Sequence, residues 1–324
     1  MSRLPIDRFL SGIEGHLRVA VSRRDFMMTH ARGVLAAAAV ATGIVSPGIL
    51  RAAAVPDIAV ATGDAAGATR KAVEVLGGMR AFVKKGERVV IKPNMSFTGA
   101  VADAVNTHPE VVRELVAMCR EAGASRVRVL DHPLRPSEQC IEGVKEACSI
   151  FGDDLVHALD RKDFYREAEI KGGRSLKETD VMRDVLESEV LIAAPVAKSH
   201  GSTGVSLSMK GMMGLVWNRS VMHWRYDLHT SIVDLCTILK PRLVVVDATR
   251  VLTTDGPGGP GTVITPRTVI ASRDMVAADA YTVQAFTWYG KKIGPDKVKH
   301  IRIAHERGLG RMDVENLYVR KVTL

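Results

Sequence analysis

The sequence has few cysteines, and they are far apart. They lie at positions 119, 140, 148 and 236, and no two of them form a C-x-x-C pair. Closely spaced cysteines are the usual ligands of structural zinc and of ferredoxin-type iron–sulfur clusters, so both kinds of site are disfavoured. A cluster held by all four cysteines, or a Cys140–Cys148 disulfide in an oxidising compartment, stays open.

Long basic runs are also missing. The net charge is +9, of which residues 1–54 contribute +4 and the remainder +5, and no alternation of basic and aromatic residues occurs. Nucleic acid is therefore not an expected partner. A cationic pocket for a small anionic ligand fits this charge better.

The familiar nucleotide and metal motifs are absent as well. The glycine-rich loop that begins at Asp255 (DGPGGPG) lacks the Lys and Ser/Thr of a P-loop and the spacing of a dinucleotide-binding turn. No H-E-x-x-H motif is present, so no particular metal is indicated, although a metal cofactor remains possible. The loop either covers a ligand or serves as a structural turn.

The first 54 residues resemble a twin-arginine export signal. Arg23 and Arg24 precede an uncharged, alanine-rich run from Gly33 to Leu50, and small residues follow up to Ala54. The pattern predicts the twin-arginine export machinery as a partner and a periplasmic or otherwise exported location. The run is too weakly apolar to predict a stable transmembrane span after processing. Cleavage after Ala54, an uncleaved anchor and a disordered arm all stay open.

Residues 55–324 are predicted to form a single α/β domain. Short β-branched runs alternate with amphipathic helical stretches and short connections, which predicts a mainly parallel sheet covered by helices on both faces. Residues 151–179 form a loosely patterned insert. The predicted strands include Ile58–Thr62, Arg88–Ile91, Arg126–Leu130, Val190–Ala194 and Leu243–Val246. Helices are expected at Ser137–Cys148 and Val181–Ser188, and another is expected after an Asn106 or Thr107 cap.

Three predicted strands end in polar side chains. The first is followed by Lys92 and Asn94, the second by Lys198 and His200, and the third by Asp247. Because the carboxyl ends of parallel strands meet at one edge of a sheet, we expect these side chains to converge.

The stretch after the central strand is rich in cations and glycine. Lys198 and Lys210 can hold a carboxylate or a phosphate, Gly211 lets the backbone approach that anion, and His200 or His223 can exchange a proton. Two lysines close together lower each other's pKa, so that one becomes usable as a base or as an imine-forming amine. The alternative is that each lysine lies in a solvated turn and each histidine makes structural hydrogen bonds.

Several segments together resemble the domain of unknown function 362 family. They are the KPN after a strand, the THP helix start that contains His108, the A-K-x-H-G stretch with its following Lys-Gly, and the V-V-D strand. The resemblance covers nearly all of residues 56–323 and implies an α/β fold. Many relatives carry an added cysteine-rich, ferredoxin-like segment, which this sequence lacks. The matched positions are Lys92, Asn94, His108, Lys198, His200, Lys210, His223, Asp247 and Asp255.

The sequence thus predicts an exported protein that binds a small anionic, carboxylate-type molecule. An enzyme using Lys/His acid–base or metal-assisted chemistry is the first interpretation. Its catalytic side chains would be Lys198, His200 and His223, and Lys92, Asn94, His108, Lys210, Gly211, Asp247 and Asp255 would bind substrate. A non-catalytic periplasmic binding or maturation-accessory protein is the second interpretation, and a metal or iron–sulfur redox protein is the third.

Overall fold

One large sheet organises the fold. The computed structural model describes residues 54–324, of which Val55–Leu324 form one compact unit. The strands are β1 (Ile58–Thr62), β2 (Arg88–Pro93), β3 (Arg126–Asp131), β4 (Val156–Ala158), β5 (Tyr165–Glu169), β6 (Glu178–Met182), β7 (Val190–Ala194), β8 (Val196–His200), β9 (Gly204–Ser206), β10 (Leu243–Leu252), β11 (Val263–Ile264), β12 (Thr268–Ser272) and β13 (Val319–Thr323). The helices are α1 (Ala65–Val75), α2 (Pro109–Glu121), α3 (Ser137–Cys148), α4 (Arg183–Glu187), α5 (Ser208–Gly211), α6 (Val221–Trp224), α7 (Leu228–Ile238), α8 (Met275–Ala285) and α9 (Lys299–Glu306).

The sheet is mainly parallel. Its order is β13-β1-β12-β10-β7-β2-β3-β4, and every neighbouring pair from β10 to β4 is parallel. Strand β12 runs antiparallel to both β1 and β10, which makes the sheet mixed at that side. The predicted α/β class is confirmed.

Helices cover both faces of the sheet because its strands are apolar on both sides. In β10, Val244 and Val246 pack into one hydrophobic core, and Leu243 and Val245 pack into the other. Helices α1, α2 and α3 bury their apolar faces in the second core, and α7, α8 and α9 bury theirs in the first. Successive side chains of a strand point to opposite faces of the sheet. Because both faces are covered by helices, every position is apolar, and the strands appear in the sequence as continuous apolar runs.

Three local predictions are wrong. Strand β10 continues for five residues past Asp247, because β8, β11 and β12 all supply it with backbone partners. Residues 181 and 182 belong to strand β6, so the helix predicted for Val181–Ser188 is only the five-residue α4. Helix α2 is capped by His108, because the Thr107 hydroxyl instead donates to the Ala194 carbonyl.

The insert has two parts. Strand β4 joins the edge of the large sheet beside β3, whereas β5 and β6 form a separate antiparallel pair. The residues of the predicted export signal lie outside the described part of the chain, except for Ala54. Within residues 54–324, no helix has both the length and the apolar character needed to cross a membrane.

Candidate functional site

A cleft opens where strands β2 and β8 end, and it has an empty volume of about 400 Å³. We call it the cationic cleft, because four of its lining side chains are Lys92, Lys198, Lys210 and Arg219. The other lining residues are Asn94, Ser96, Phe97, Leu134, His200, Ser206, Gly211, Met213, Gly214 and Pro257. The structure therefore brings six of the residues predicted from sequence to one place.

Lys92 lies in a buried ion pair at the floor of the cleft. Its Nζ is 2.9 Å from Oδ1 of Asp131, and neither side chain is more than 2% exposed. Asp131 also accepts hydrogen bonds from the backbone N–H of Met95 at 2.7 Å and of His132 at 2.9 Å. The pair therefore fixes the chain after β2 and the chain after β3 to each other.

Gly214 makes room for this ion pair. A Cβ atom at position 214 would lie 2.3 Å from Oδ1 of Asp131, 2.6 Å from Cε of Lys92 and 2.9 Å from its Nζ. Contacts this short do not occur for real Cβ atoms, so the ion pair can form only against a glycine.

Lys198 is fully buried, and among the described residues it has no carboxylate within ion-pair distance. Its Nζ donates to Oδ1 of Asn94 at 3.0 Å and to the carbonyl oxygen of Val105, and it lies 4.5 Å from the centre of the Phe97 ring. Burial, together with the charges of Lys92 and Lys210, lowers the pKa of Lys198 well below its usual value. Burial therefore disfavours the charged form of this lysine.

Lys210 and Arg219 supply the remaining positive charge. Burial, assisted by Arg219 and Lys92, lowers the pKa of Lys210 to about 8, so this amine is mostly protonated at neutral pH. The Arg219 guanidinium donates to the carbonyl oxygens of His132 and Pro133, the latter at 2.9 Å. Within residues 54–324 neither cation has a carboxylate within ion-pair distance, so both charges are available to a guest.

A buried carboxylate positions the short helix that carries Lys210. Asp279 of α8 accepts hydrogen bonds from the backbone N–H groups of Ser208 and Met209, both at 2.9 Å, and from the Ser208 hydroxyl at 2.6 Å. These are the groups that the first turn of α5 leaves without helical partners. The backbone N–H of Gly211 donates to Leu207 O at 2.9 Å, so it is not available to an anion.

His200 lines the cleft as a neutral hydrogen-bond donor. Its Nδ1 accepts the backbone N–H of Ser202 at 3.1 Å, and burial with the nearby charge of Lys210 lowers its pKa to about 3. Because Nδ1 is an acceptor, the ring hydrogen lies on Nε2. His223 is exposed on α6, and partial desolvation of its ring, together with the charges of Lys210 and Arg219, lowers its pKa. His223 is thus close enough to the cleft for the charge of Lys210 to lower its pKa, but its side chain does not line the cleft.

Three further residues predicted for the site lie elsewhere. Asp247 is fully buried within β10, where it pairs with Arg250 at 2.6 Å and accepts the backbone N–H of His108 at 2.8 Å. His108 itself caps α2 by accepting the backbone N–H of Glu110 at 3.1 Å. Asp255 is exposed, with a left-handed φ of 55°. Asp247 and His108 hold a strand and a helix end in place, and none of the three residues lines the cleft.

The glycine-rich loop after Asp255 packs against β8. A Cβ at Gly256 would lie 2.0 Å from the Ser199 carbonyl oxygen, and the Gly256 N–H donates to the Ser199 hydroxyl at 2.9 Å. The next residue, Pro257, lines the cleft. The loop therefore covers one side of the cleft with an apolar group rather than with a charge.

Sequence reasoning missed Asp131 and Arg219. Asp131 ends strand β3, so the same strand-end rule that selected Lys92 could have selected it. Arg219 follows no motif and sits in the connection before α6. It reaches the cleft only because the chain between α5 and α6 folds back over β3.

The cysteines are buried and free, and they are not arranged for a metal. Cys140 and Cys148 lie eight residues apart in α3, which places them about 12 Å apart along the helix axis, too far for a disulfide. The structure therefore excludes the Cys140–Cys148 disulfide that the sequence left open. Across residues 54–324, no three His, Cys, Asp or Glu side chains are grouped so as to hold a metal ion.

The fold is that of an α/β protein with a mainly parallel sheet. The cleft at the strand ends of this sheet contains cations that have no carboxylate partner among the described residues. Residues 89–284 match the model of the family described as Domain of unknown function (DUF362), and the chain belongs to this family. The resemblance seen in the sequence motifs is thereby confirmed. The family description names no activity, so function has to be inferred from the residues of the cleft.

Two known proteins are similar to parts of the chain. Thylakoid-associated protein sll1697 of Synechocystis sp. is 28% identical over 225 residues, which cover 65% of this chain and 66% of the relative, slightly less than two thirds of its length. The solved structure of the lactate racemase apoprotein from Thermoanaerobacterium thermosaccharolyticum matches with a TM-score of 0.46 and 11% identity. That match covers 67% of this chain and 54% of the other.

Proposed function

We propose that the protein is an enzyme that acts on a small, carboxylate-bearing anion by Lys/His acid–base chemistry. The observation that carries the proposal is the charge imbalance of the cationic cleft. Lys92 is neutralised by Asp131, whereas Lys210 and Arg219 have no carboxylate partner among the described residues. Cations that are partly removed from water are costly unless an anion compensates them, so a guest that brings negative charge is the natural complement.

The cleft offers a different role to each side chain. Arg219 is held by two carbonyl oxygens and keeps N–H donors free, so together with Lys210 it can seat a carboxylate. His200 presents an N–H group that can bind a carbonyl or hydroxyl oxygen of the same guest. Phe97 and Pro257 supply apolar walls, which favour a guest with a short carbon skeleton.

A screen of small carboxylates by thermal shift tests the binding part of the proposal. A ligand at 100 times its Kd stabilises a protein by about 2.7 kcal/mol, which is about 5–10 °C in Tm for a domain of this size. Lys210→Ala and Arg219→Ala should abolish the shift. Lys171→Ala, which removes an exposed lysine far along the chain from the cleft residues, should leave it unchanged. Equal shifts in all three variants would contradict the site assignment.

The enzymatic part needs a separate measurement. The acid that gives the largest shift should be consumed or isomerised when it is incubated with catalytic amounts of protein and followed by NMR. Stoichiometric binding with no change in the acid would instead favour the non-catalytic binding or accessory protein.

We also propose that the chain is exported by the twin-arginine route to the periplasm or beyond. The support is the sequence pattern of residues 1–54, with Arg23 and Arg24 ahead of an uncharged apolar run. A fusion of residues 1–54 to a folded reporter should be exported, and Arg23→Lys with Arg24→Lys should retain it in the cytoplasm. Equal export of both fusions would refute this route.

A further inference from the structure

In its neutral form, the Lys198 nitrogen would have one lone pair that its two hydrogen bonds leave free. A neutral amine has two N–H groups and one lone pair. The two N–H groups of Lys198 have two acceptors, Oδ1 of Asn94 at 3.0 Å and the Val105 carbonyl. The side chain is fully buried in the free protein but is one of those that line the cationic cleft, so a guest that enters the cleft can approach the remaining tetrahedral position.

We propose that Lys198 is the general base of the cleft and that the substrate is a small oxo acid with an acidic C–H group next to its carbonyl. This inference rests on the proposed function and adds the reaction type and the substrate class to it. The lone pair of Lys198 takes the proton from that carbon, and the C–H electron pair becomes a C=C bond. The carbonyl electron pair moves to oxygen, giving an enolate, and return of the proton closes the cycle.

The surroundings of Lys198 stabilise the ammonium that this step produces. Both existing hydrogen bonds survive protonation, and the face of the Phe97 ring lies 4.5 Å from Nζ, where it attracts a cation. An imine at the same nitrogen would keep at most one N–H, so either Asn94 or Val105 would lose its donor. The geometry therefore favours a base over a covalent amine. The lowered pKa of Lys198 agrees, since burial favours the neutral form that a general base needs.

The other cleft residues fit the remaining charges of the step. Lys210 and Arg219 can hold the carboxylate of the oxo acid. The Nε2–H of His200 can donate to the oxygen on which the enolate charge develops. His200 cannot be the base at neutral pH, because its Nδ1 is engaged by Ser202 and its Nε2 carries the hydrogen.

Hydrogen–deuterium exchange at carbon tests the inference with simple oxo acids as probes. Pyruvate, 2-oxobutyrate and 2-oxoglutarate are incubated in D₂O with wild-type protein, and loss of the C3 proton signal is followed by ¹H NMR. The protein should accelerate exchange for at least one acid that it binds. Lys198→Met should slow this exchange by about 10²- to 10⁴-fold, the usual contribution of a general base, while affinity for the acid changes little.

Two more variants separate the base from binding and from folding. Lys198→Gln keeps an NH₂ group with two donors but has no basic lone pair, so it should be folded and should also fail to exchange. Lys210→Met should weaken binding yet still exchange at saturating acid. Exchange at the wild-type rate in folded Lys198→Gln or Lys198→Met would overturn the proposal, as would wild-type protein that binds oxo acids without exchanging them.

The failure of the inference is distinguishable from the failure of the proposed function. If other carboxylates bind and no oxo acid does, the substrate class and the base assignment are wrong, but the anion site stands. If no small carboxylate binds at all, both fall.

Discussion

Replacing Gly214 by alanine should destabilise the protein strongly, although the new side chain is only a methyl group. Its Cβ would lie 2.3 Å from Oδ1 of Asp131, so the two atoms would have to move apart by about 1 Å to reach ordinary contact. Asp131 cannot yield easily, because it is fully buried and bonded to Lys92 and to two backbone N–H groups.

The magnitude follows from two contributions. Overpacking a tight core costs about 1–3 kcal/mol, and loss of a buried ion pair costs about 3–5 kcal/mol. These are limiting cases rather than a sum, because opening the pair would relieve the overpacking, and we expect a loss of about 2–5 kcal/mol, depending on how far the pair opens. For a domain of this size that corresponds to a fall in Tm of about 5–15 °C.

Gly211→Ala is the matched control. Gly211 lies three residues earlier in the same cleft wall, neither glycine has a left-handed φ, and a Cβ at 211 would meet nothing within 4 Å. Alanine is favoured over glycine in a helix by about 0.5–1 kcal/mol, so this variant should be as stable as wild type or slightly more stable. Urea unfolding of both variants gives the free energies directly. A Gly214→Ala protein with wild-type stability, or two variants with equal losses, would refute the packing argument.

Three other predictions concern charged or reactive side chains. Asp131→Asn should lower the free energy of unfolding by about 3–5 kcal/mol in urea titrations, because Lys92 would be left buried without its carboxylate; a loss under about 1 kcal/mol would show that the pair is dispensable. Anion affinity should fall as pH rises through about 8, by up to about tenfold per pH unit, because Lys210 is protonated below this pKa and neutral above it. Calorimetric Kd values that stay constant from about pH 7 to about pH 9.5 would show that Lys210 does not bind the anion. The four cysteines should react with a thiol reagent only after unfolding, and Tm should not depend on reductant, because all four are buried and free; rapid labelling of the native protein would contradict this.

The parts of the site that sequence could predict are those tied to strand ends. Lys92 and Lys198 converge because each belongs to a strand whose carboxyl end meets the same edge of the sheet. Asp247 satisfied the same pattern and is nevertheless buried in the middle of β10, because that strand continues where β12 and β8 pair with it. The position at which a strand ends depends on the neighbouring strands that pair with it. The sequence of the strand itself does not specify those neighbours.

The chemical roles depended still more on tertiary structure. The sequence offered Lys198, Lys210 and Lys92 as three similar cations. Folding gives Lys92 a carboxylate partner and Lys198 only carbonyl acceptors and an aromatic ring, whereas Lys210 has neither. Burial then separates their pKa values, since desolvation acts on each amine according to the partners that compensate it.

The sequence by itself determined the order of the longer strands and helices, the α/β class and the family, because runs of apolar residues and short polar motifs act over a few neighbouring positions. Only the tertiary structure decided that Asp131 and Arg219 belong to the cleft, that Asp247 does not, and that Gly214 must lack a side chain. These features depend on which distant segments approach within a few ångströms, and that distance is fixed by the packing of the whole sheet and its helices.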